Sequence, residues 1–244
     1  MLIKDIKPID KNGRNFLKDK ESETLIDEFI ELSQIEDVLS TKLKSDSTKT
    51  NPAGYTNAIH ATDKPFYLAI AYHEFYLNMG IVVKFSAWAW AEYQSNYYNL
   101  HSVHITLSEF LKMIESNIYS FRLSRIDIAV DYKNYFESNF LDTLNEDIKN
   151  NVIKVVNVND IKSFQSSSAI TNDNKISTIY LGSRKSNTRS FLRIYDKKQE
   201  QLNNNGFRMA EAKECESWIR FEASYRSIYA HKVTDELIKT NNYA

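Results

Sequence analysis

A tyrosine with a cation on either side of it is the feature of this sequence best suited to chemistry. Polar or aromatic residues alternate with aliphatic ones around residue 195, which predicts a strand with one packed and one open face. The open face would carry Phe191, Arg193, Tyr195 and Lys197. A phenol between two cations suits nucleophilic attack on a phosphate. The alternative is an ordinary exposed face of an antiparallel sheet, where tyrosine is common.

Two aspartates form a second candidate group. The stretch FRLSRIDIAVDY, residues 121–132, predicts a strand on which Asp127, Ala129 and Asp131 share one face. Two carboxylates on one face of a strand are costly unless a positive charge compensates them. A divalent cation with hard oxygen ligands would do so. Alternatively, Asp131 ends the strand as a turn residue and Asp127 pairs with a neighbouring arginine.

A third strand is predicted over residues 217–226, SWIRFEASYR. Trp218, Arg220 and Glu222 share one face of it, while Ile219 and Phe221 would pack. If the polar faces of the three strands coincide, the site combines carboxylates for a metal ion, cations for a phosphate and a phenol between them. This convergence is inferred from strand parity.

The elements that would position these strands follow from the rest of the pattern. Turn and breaker residues separate three short apolar runs, which predicts an antiparallel meander over residues 55–60, 66–73 and 80–85. The run SAWAWAEYQSNYY offers either a stacking platform for unpaired bases or plain core packing, and core packing is favoured. Helices are predicted over residues 23–34, 106–114 and 137–149, a strand over 152–158 and a loop over 164–177.

Composition limits the classes of protein to which this chain can belong. The 244 residues include five Gly, three Pro and one Cys, which excludes a disulfide framework and a cysteine-rich zinc site. We expect an N-terminal acidic helix and polar loop over residues 1–52 and one main domain over 53–244. No signal peptide or membrane span is visible, so a cytoplasmic protein is expected.

Charge is unevenly distributed along the chain, although the formal net charge is only −1. Residues 21–37 contain seven acidic residues and no Lys or Arg, whereas residues 184–232 contain eleven Lys or Arg against six acidic residues. A basic half beside an acidic arm fits local binding to a polyanion, and it fits a solvated surface equally well.

The motifs RIDIAVDY, YLGSRKS, LRIYDKK and WIRFE, in this order, resemble the Rep_trans family, over about residues 79–226. These proteins are rolling-circle replication initiators of Gram-positive plasmids and relaxases of conjugative elements. The resemblance implies an α+β fold with an antiparallel sheet core and flanking helices, like that of other (HUH) tyrosine nickases but without their His-x-His pair. The chain departs from the family at its end, because family members usually continue into a segment that recognises the origin, so a catalytic fragment without that segment is expected.

The resemblance also assigns roles. Tyr195 would be the nucleophile that nicks one DNA strand and stays on the 5′-phosphate, leaving a free 3′-OH. Mg²⁺ or Mn²⁺ would be held by Asp127, Asp131 and Glu222, and the phosphate would be flanked by Arg193, Lys197 and Arg220. Further DNA contacts are expected from Arg184, Lys185, Arg189 and Arg226.

The function expected from these residues is a metal-dependent DNA nickase and strand transferase. Its expected partners are a single-stranded or cruciform origin, a host helicase of the UvrD class and a second copy of the chain, with no membrane. One alternative is a hydrolytic two-metal nuclease in which Tyr195 is structural. The other is a module that binds single-stranded or origin DNA without cutting it.

Overall fold

Two compact units make up the computed structural model of this chain, which describes residues 1–5, 19–153, 156–157, 160–163, 167–172, 175–183 and 189–240. The first unit comprises Met1–Ser124 and His231–Ala244, and the second comprises Arg125–Ala230. The expected boundary after residue 52 falls inside the first unit. The division into an N-terminal segment and a catalytic domain therefore stays a prediction.

An antiparallel sheet is the centre of the first unit. Its strands are β1 (Leu2–Asp5), β2 (Leu43–Ser45), β3 (Asn57–Ala61), β4 (Leu68–Tyr72), β5 (Ile81–Phe85) and β6 (Tyr119–Arg122). They are ordered β2-β3-β4-β5-β1-β6. The predicted meander is confirmed as β3, β4 and β5, because consecutive strands pair antiparallel.

Four helices of the first unit bring aromatic and aliphatic side chains into its core. They are α1 (Asp19–Ser33), α2 (Ile35–Val38), α3 (Ala87–His101) and α4 (Leu107–Met113), and a 3₁₀ turn covers Leu77–Met79. On α3, Trp90 stacks on Tyr93 with ring centroids 5.6 Å apart. Tyr93 is fully buried and donates a hydrogen bond to the Ser33 carbonyl at 2.6 Å. Core packing by this aromatic run is therefore confirmed, and so is the capping box that opens α4 at Thr106.

The second unit contains the three strands that carry the candidate residues. Its elements are β7 (Arg125–Lys133), α5 (Phe140–Lys149), β8 (Val156–Asn157), β9 (Asp160–Ser163), β10 (Ser167–Asn172), β11 (Lys175–Leu181), β12 (Ser190–Asp196), α6 (Lys197–Asn203), α7 (Met209–Glu214) and β13 (Trp218–Arg226). Its main sheet is ordered β10-β11-β12-β13-β7, with every pair antiparallel. The last helix, α8 (Ile228–Thr240), lies mostly in the first unit.

Two sequence predictions about local structure are wrong here. The predicted strand over residues 121–132 is divided between β6 and β7, because the chain leaves the first sheet where the Leu123 N–H donates to Thr234 Oγ1 at 3.2 Å. The predicted loop over residues 164–177 includes β10, which pairs with β11 as an edge strand. An edge strand can be polar and still satisfy its backbone on one side, so the apolar pattern that reveals inner strands is missing.

One face of the main sheet of the second unit packs against α5. Leu141 on the helix joins Ile179, Ile194 and Ile219 from three neighbouring strands in a buried cluster. Because side chains alternate across a strand, this apolar layer turns the intervening polar residues to the opposite face. None of the helices in the described ranges has the length and apolar composition needed to cross a membrane.

Candidate active site

The register of β12, β13 and β7 places the candidate residues in three rows on one face of the sheet. Across the strands, the rows are Tyr195–Arg220–Asp131, Arg193–Glu222–Ala129 and Phe191–Ser224–Asp127. Directly opposite residues of an antiparallel pair have Cβ atoms about 5 Å apart. The structure thus brings together the three polar faces that strand parity predicts.

Tyr195 lies at the buried end of this face. Only 4% of its surface is exposed, so the prediction of an open face is wrong at this position. The Arg193 guanidinium covers the ring at 4.2 Å from its centroid, and the phenol OH donates to Glu222 Oε2 at 3.3 Å. Burial raises the pKa of the phenol to about 12, the Glu222 charge adds to the rise, and Arg193 and Arg220 oppose it.

Lys197 does not share a strand face with Tyr195 as predicted. The strand ends at Asp196, whose carboxylate accepts a hydrogen bond from the Gln199 N–H at 2.8 Å and caps α6. Lys197 is therefore the first residue of the helix, where it is buried and donates to Glu200 at 2.6 Å. Its ammonium still lies 5.7 Å from the centroid of the Tyr195 ring. Burial lowers the pKa of Lys197, and Glu200 works against this shift.

Asp131 is held by two arginines. Arg220 donates to both of its oxygens at 2.6 and 2.7 Å, and Arg208 adds a bond of 3.0 Å. Burial favours a higher pKa for this carboxyl group, but hydrogen bonds from the arginines outweigh burial and lower the pKa to about 2. Asp131 lies inside β7, so the alternative in which it ends the strand is wrong.

Asp127 lies at the open end of the face. Arg125 donates to its two oxygens at 2.9 and 2.7 Å, and Ser224 donates to it at 2.6 Å. The predicted alternative, an ion pair with a neighbouring arginine, is therefore present. Both side chains of this pair are partly exposed, so the pair contributes little to stability.

The three predicted metal ligands do not form one metal site in this arrangement. Asp127 and Asp131 are four residues apart on one strand, about 13 Å. Each oxygen of both aspartates and of Glu222 already accepts a hydrogen bond from a side chain of this chain. Among the described residues, no group of three or more His, Cys, Asp or Glu side chains could hold a metal ion.

The structure describes three of the five predicted DNA-binding residues, and they lie at two ends of the same sheet face. Arg184 and Lys185 are outside the described residues. Arg226 and Arg189 meet where β12 and β13 begin to pair, since the Arg226 N–H donates to the Arg189 carbonyl at 2.8 Å. The Arg226 side chain covers the Phe191 ring at 5.0 Å, on the same face as Tyr195 but at the other end of the strand. Arg220 lies beside Tyr195 itself.

The sequence analysis left one arginine of this site unnamed and missed another. Arg125 has the parity of Asp127 and precedes it by two residues, a spacing that predicts their ion pair. Arg208 follows the Asn-rich connection after α6, where no periodic pattern exists. Nothing in the sequence indicated its contact with Asp131, 77 residues away.

Comparison with known proteins gives matches for both the sequence and the fold of this chain. The family model described as replication initiation factor, Rep_trans, matches residues 121–244. Among solved structures, the chain is similar to the rolling circle replication initiator protein from Geobacillus stearothermophilus, with a TM-score of 0.59 and 18% sequence identity over 97% of this chain and 76% of that one. No curated protein gives a significant match. The predicted α+β fold, with antiparallel sheets and flanking helices, is confirmed.

Proposed function

Because this chain belongs to the replication initiation factor family, we propose that it nicks one strand of DNA at a replication origin, with Tyr195 as the nucleophile. The observation that carries the proposal is the hydrogen bond from the Tyr195 OH to Glu222, which joins two neighbouring rows of side chains that also contain Arg193 and Arg220. A nucleophile, a carboxylate that can take its proton and two cations that can neutralise a phosphate are thereby within one small area of the sheet.

The proton of the phenol has to be removed during the attack. With a pKa of about 12, Tyr195 is almost entirely protonated at neutral pH. Glu222 is the carboxylate within hydrogen-bond reach of it, and such bonds tighten when substrate binds. As the phenol oxygen bonds to phosphorus, its proton passes to Glu222. The bond from phosphorus to the 3′ oxygen breaks, and that oxygen takes a proton from water to become a free 3′-OH.

The arginines account for the charge that develops on the phosphate. Arg193 donates to Glu222 at 2.8 Å and lies over the ring of Tyr195. Arg220 is the cross-strand partner of Tyr195 on β13. Guanidinium groups bind phosphate oxygens with two parallel hydrogen bonds, and fixed cations stabilise a pentavalent transition state. Since Arg193 also covers the ring, a phosphate that draws this guanidinium away would uncover the phenol.

The proposal includes a requirement for Mg²⁺ or Mn²⁺, but no step is assigned to the ion. The predicted ligands already accept hydrogen bonds from arginines, serine or the phenol, so the arrangement does not fit a three-carboxylate site. The bases around the nick have to be unpaired to reach the sheet, which favours a single-stranded or cruciform origin. A helicase of the UvrD class and a second copy of the chain are further proposed partners.

The test is a search for a covalent adduct. Labelled single-stranded oligonucleotides that tile the DNA around the coding sequence are incubated with the protein and Mg²⁺ or Mn²⁺. We expect a 5′-phosphotyrosyl adduct that survives denaturation and maps to Tyr195 by mass spectrometry. Tyr195→Phe should abolish it, and Glu222→Gln, which keeps an acceptor oxygen but cannot take the proton, should slow it strongly. Cleavage without an adduct would refute the tyrosine mechanism.

A second candidate is a module that binds DNA without cutting it. The burial of Tyr195 favours this alternative, because a buried phenol with a hydrogen-bond partner is also what a structural tyrosine looks like. Binding of the tiled oligonucleotides without cleavage, unchanged in Tyr195→Phe, would establish it.

A further inference from the structure

We infer that Arg208, in the connection between α6 and α7, positions Arg220 beside the phenol of Tyr195 by acting through Asp131. The inference rests on the proposed nicking function and deepens it. In this inference Asp131, which was predicted to bind a metal ion, instead holds the guanidinium groups of two arginines.

Asp131 is the point where the two arginines meet. Its carboxylate accepts both bonds of the Arg220 fork and a third bond from Arg208 Nη1 at 3.0 Å. The side chains of Asp131 and Arg220 are only 22% and 13% exposed. A carboxylate fixed from two sides cannot rotate freely, so the guanidinium bound to it keeps one orientation. That guanidinium belongs to the cross-strand partner of Tyr195.

Arg208 is itself held in place by three groups. Its Nε and Nη2 donate to Glu211 at 2.6 and 2.9 Å. Its guanidinium lies 4.4 Å from the centroid of the Trp218 ring, which is fully buried. Its backbone N–H donates to the side-chain oxygen of Gln201 at 2.9 Å. Stacking and forked hydrogen bonds fix all the planar atoms of an arginine.

The same connection also reaches the second cation beside the phenol. Gln201 is buried and donates to Glu200 Oε2 at 2.7 Å, the oxygen that also accepts a bond from Lys197 at 2.6 Å. At Gly206, an added Cβ would overlap the side-chain amide of Gln201. The connection between α6 and α7 thus contacts Asp131, which holds Arg220, directly, and it contacts Glu200, which holds Lys197, through Gln201.

Lys133 provides a matched control for Arg208. It also pairs with Glu211, and its ammonium lies 4.9 Å from the same Trp218 ring. Among the described residues, Asp131 is not one of its hydrogen-bond partners. Lys133→Met therefore removes a contact with Glu211 and a contact with Trp218, as Arg208→Met does. Only Arg208→Met also removes a contact with Asp131. If Arg208 acted only by holding α7 in place, the two variants should have the same effect.

The experiment measures the single-turnover rate of adduct formation with the labelled oligonucleotide that the unaltered chain cuts. Arg208→Met should slow the reaction about tenfold to a hundredfold, the cost of misplacing a catalytic group. Lys133→Met should react like the unaltered chain. In a double-mutant cycle, Arg208→Met should slow Asp131→Asn little further, because the two residues act as one unit.

Three outcomes would overturn the inference. They are equal slowing by Lys133→Met, additive effects of Arg208→Met and Asp131→Asn, and a rate for Arg208→Met equal to that of the unaltered chain. If Arg208→Met does not fold, the cycle is run with Arg208→Lys, which keeps a cation but cannot bind Asp131 and Glu211 at once. An unaltered chain that forms no adduct would overturn the proposed function and this inference together, whereas the other outcomes leave the proposed function intact.

Discussion

Replacing Asp131 by asparagine should lower the free energy of unfolding at neutral pH by roughly 2 to 3 kcal/mol. The structure lowers the pKa of Asp131 from 3.8 to about 2. A shift of one pKa unit corresponds to about 1.4 kcal/mol, which gives the magnitude. Asparagine carries no charge to pair with Arg220 and Arg208, so this contribution is lost.

The effect should depend on pH in a defined direction. A carboxyl group whose pKa is lower in the folded state stabilises the fold above its unfolded pKa and loses this contribution as pH falls through the folded pKa. The difference between the unaltered chain and Asp131→Asn should therefore be full above about pH 5, half as large near pH 3 and small at pH 2.

Urea denaturation from pH 7 down to pH 3 measures this difference. Asp127→Asn is the matched control, because Asp127 lies on the same face of the same strand in a partly exposed ion pair. Its replacement should change stability by less than about 1 kcal/mol. Equal losses in both variants, or a loss for Asp131→Asn that does not shrink towards pH 3, would refute the role of Asp131 as an anchor.

Three further predictions concern the proposed active site on the polar face of β12, β13 and β7. Ala129 is exposed and lies opposite Glu222 on the neighbouring strand. Ala129→Val should slow adduct formation at least about tenfold, because the larger side chain fills space beside Glu222, and it should keep stability, since valine is favoured in strands. An unchanged rate would show that the DNA binds elsewhere. Gly206→Ala should lower both urea stability and the adduct rate, because its Cβ displaces the amide of Gln201; normal values for both would contradict the described packing. Removal of divalent metal with EDTA should abolish adduct formation, and an unchanged rate in EDTA would remove the metal from the proposed function.

Strand parity was enough to predict which polar residues of β12, β13 and β7 share one face of the sheet. On β12 and β13, the polar residues alternate with apolar residues of the buried cluster that contains Leu141 of α5. The polar residues are Arg193, Tyr195, Arg220 and Glu222. Because the period of a strand is two residues, the packed residues decide where the polar ones point. The pairing of these three strands with each other was a further assumption, which the register supports.

The end of β12 shows where parity fails. Lys197 was expected to continue the strand, but Asp196 followed by Gln199 is a helix N-terminal signal that outweighs the alternation. The burial of Tyr195 and the contact between Arg208 and Asp131 depend on side chains that are distant in sequence and follow no period. Long-range contacts of this kind leave no trace in a single sequence.

The apolar layer under α5 has a consequence for any attempt to move Tyr195, the proposed nucleophile, to another position. Ile194 and Ile219 lie in the buried cluster next to Tyr195 and Arg220 in the chain, so each chemical group is adjacent to a residue that anchors its strand. A shift of β12 by one residue would turn the phenol of Tyr195 towards the apolar layer and turn Ile194 towards the polar face of the sheet. The apolar layer therefore fixes which face of the sheet carries Tyr195. Moving this tyrosine would require changes to both faces of the sheet.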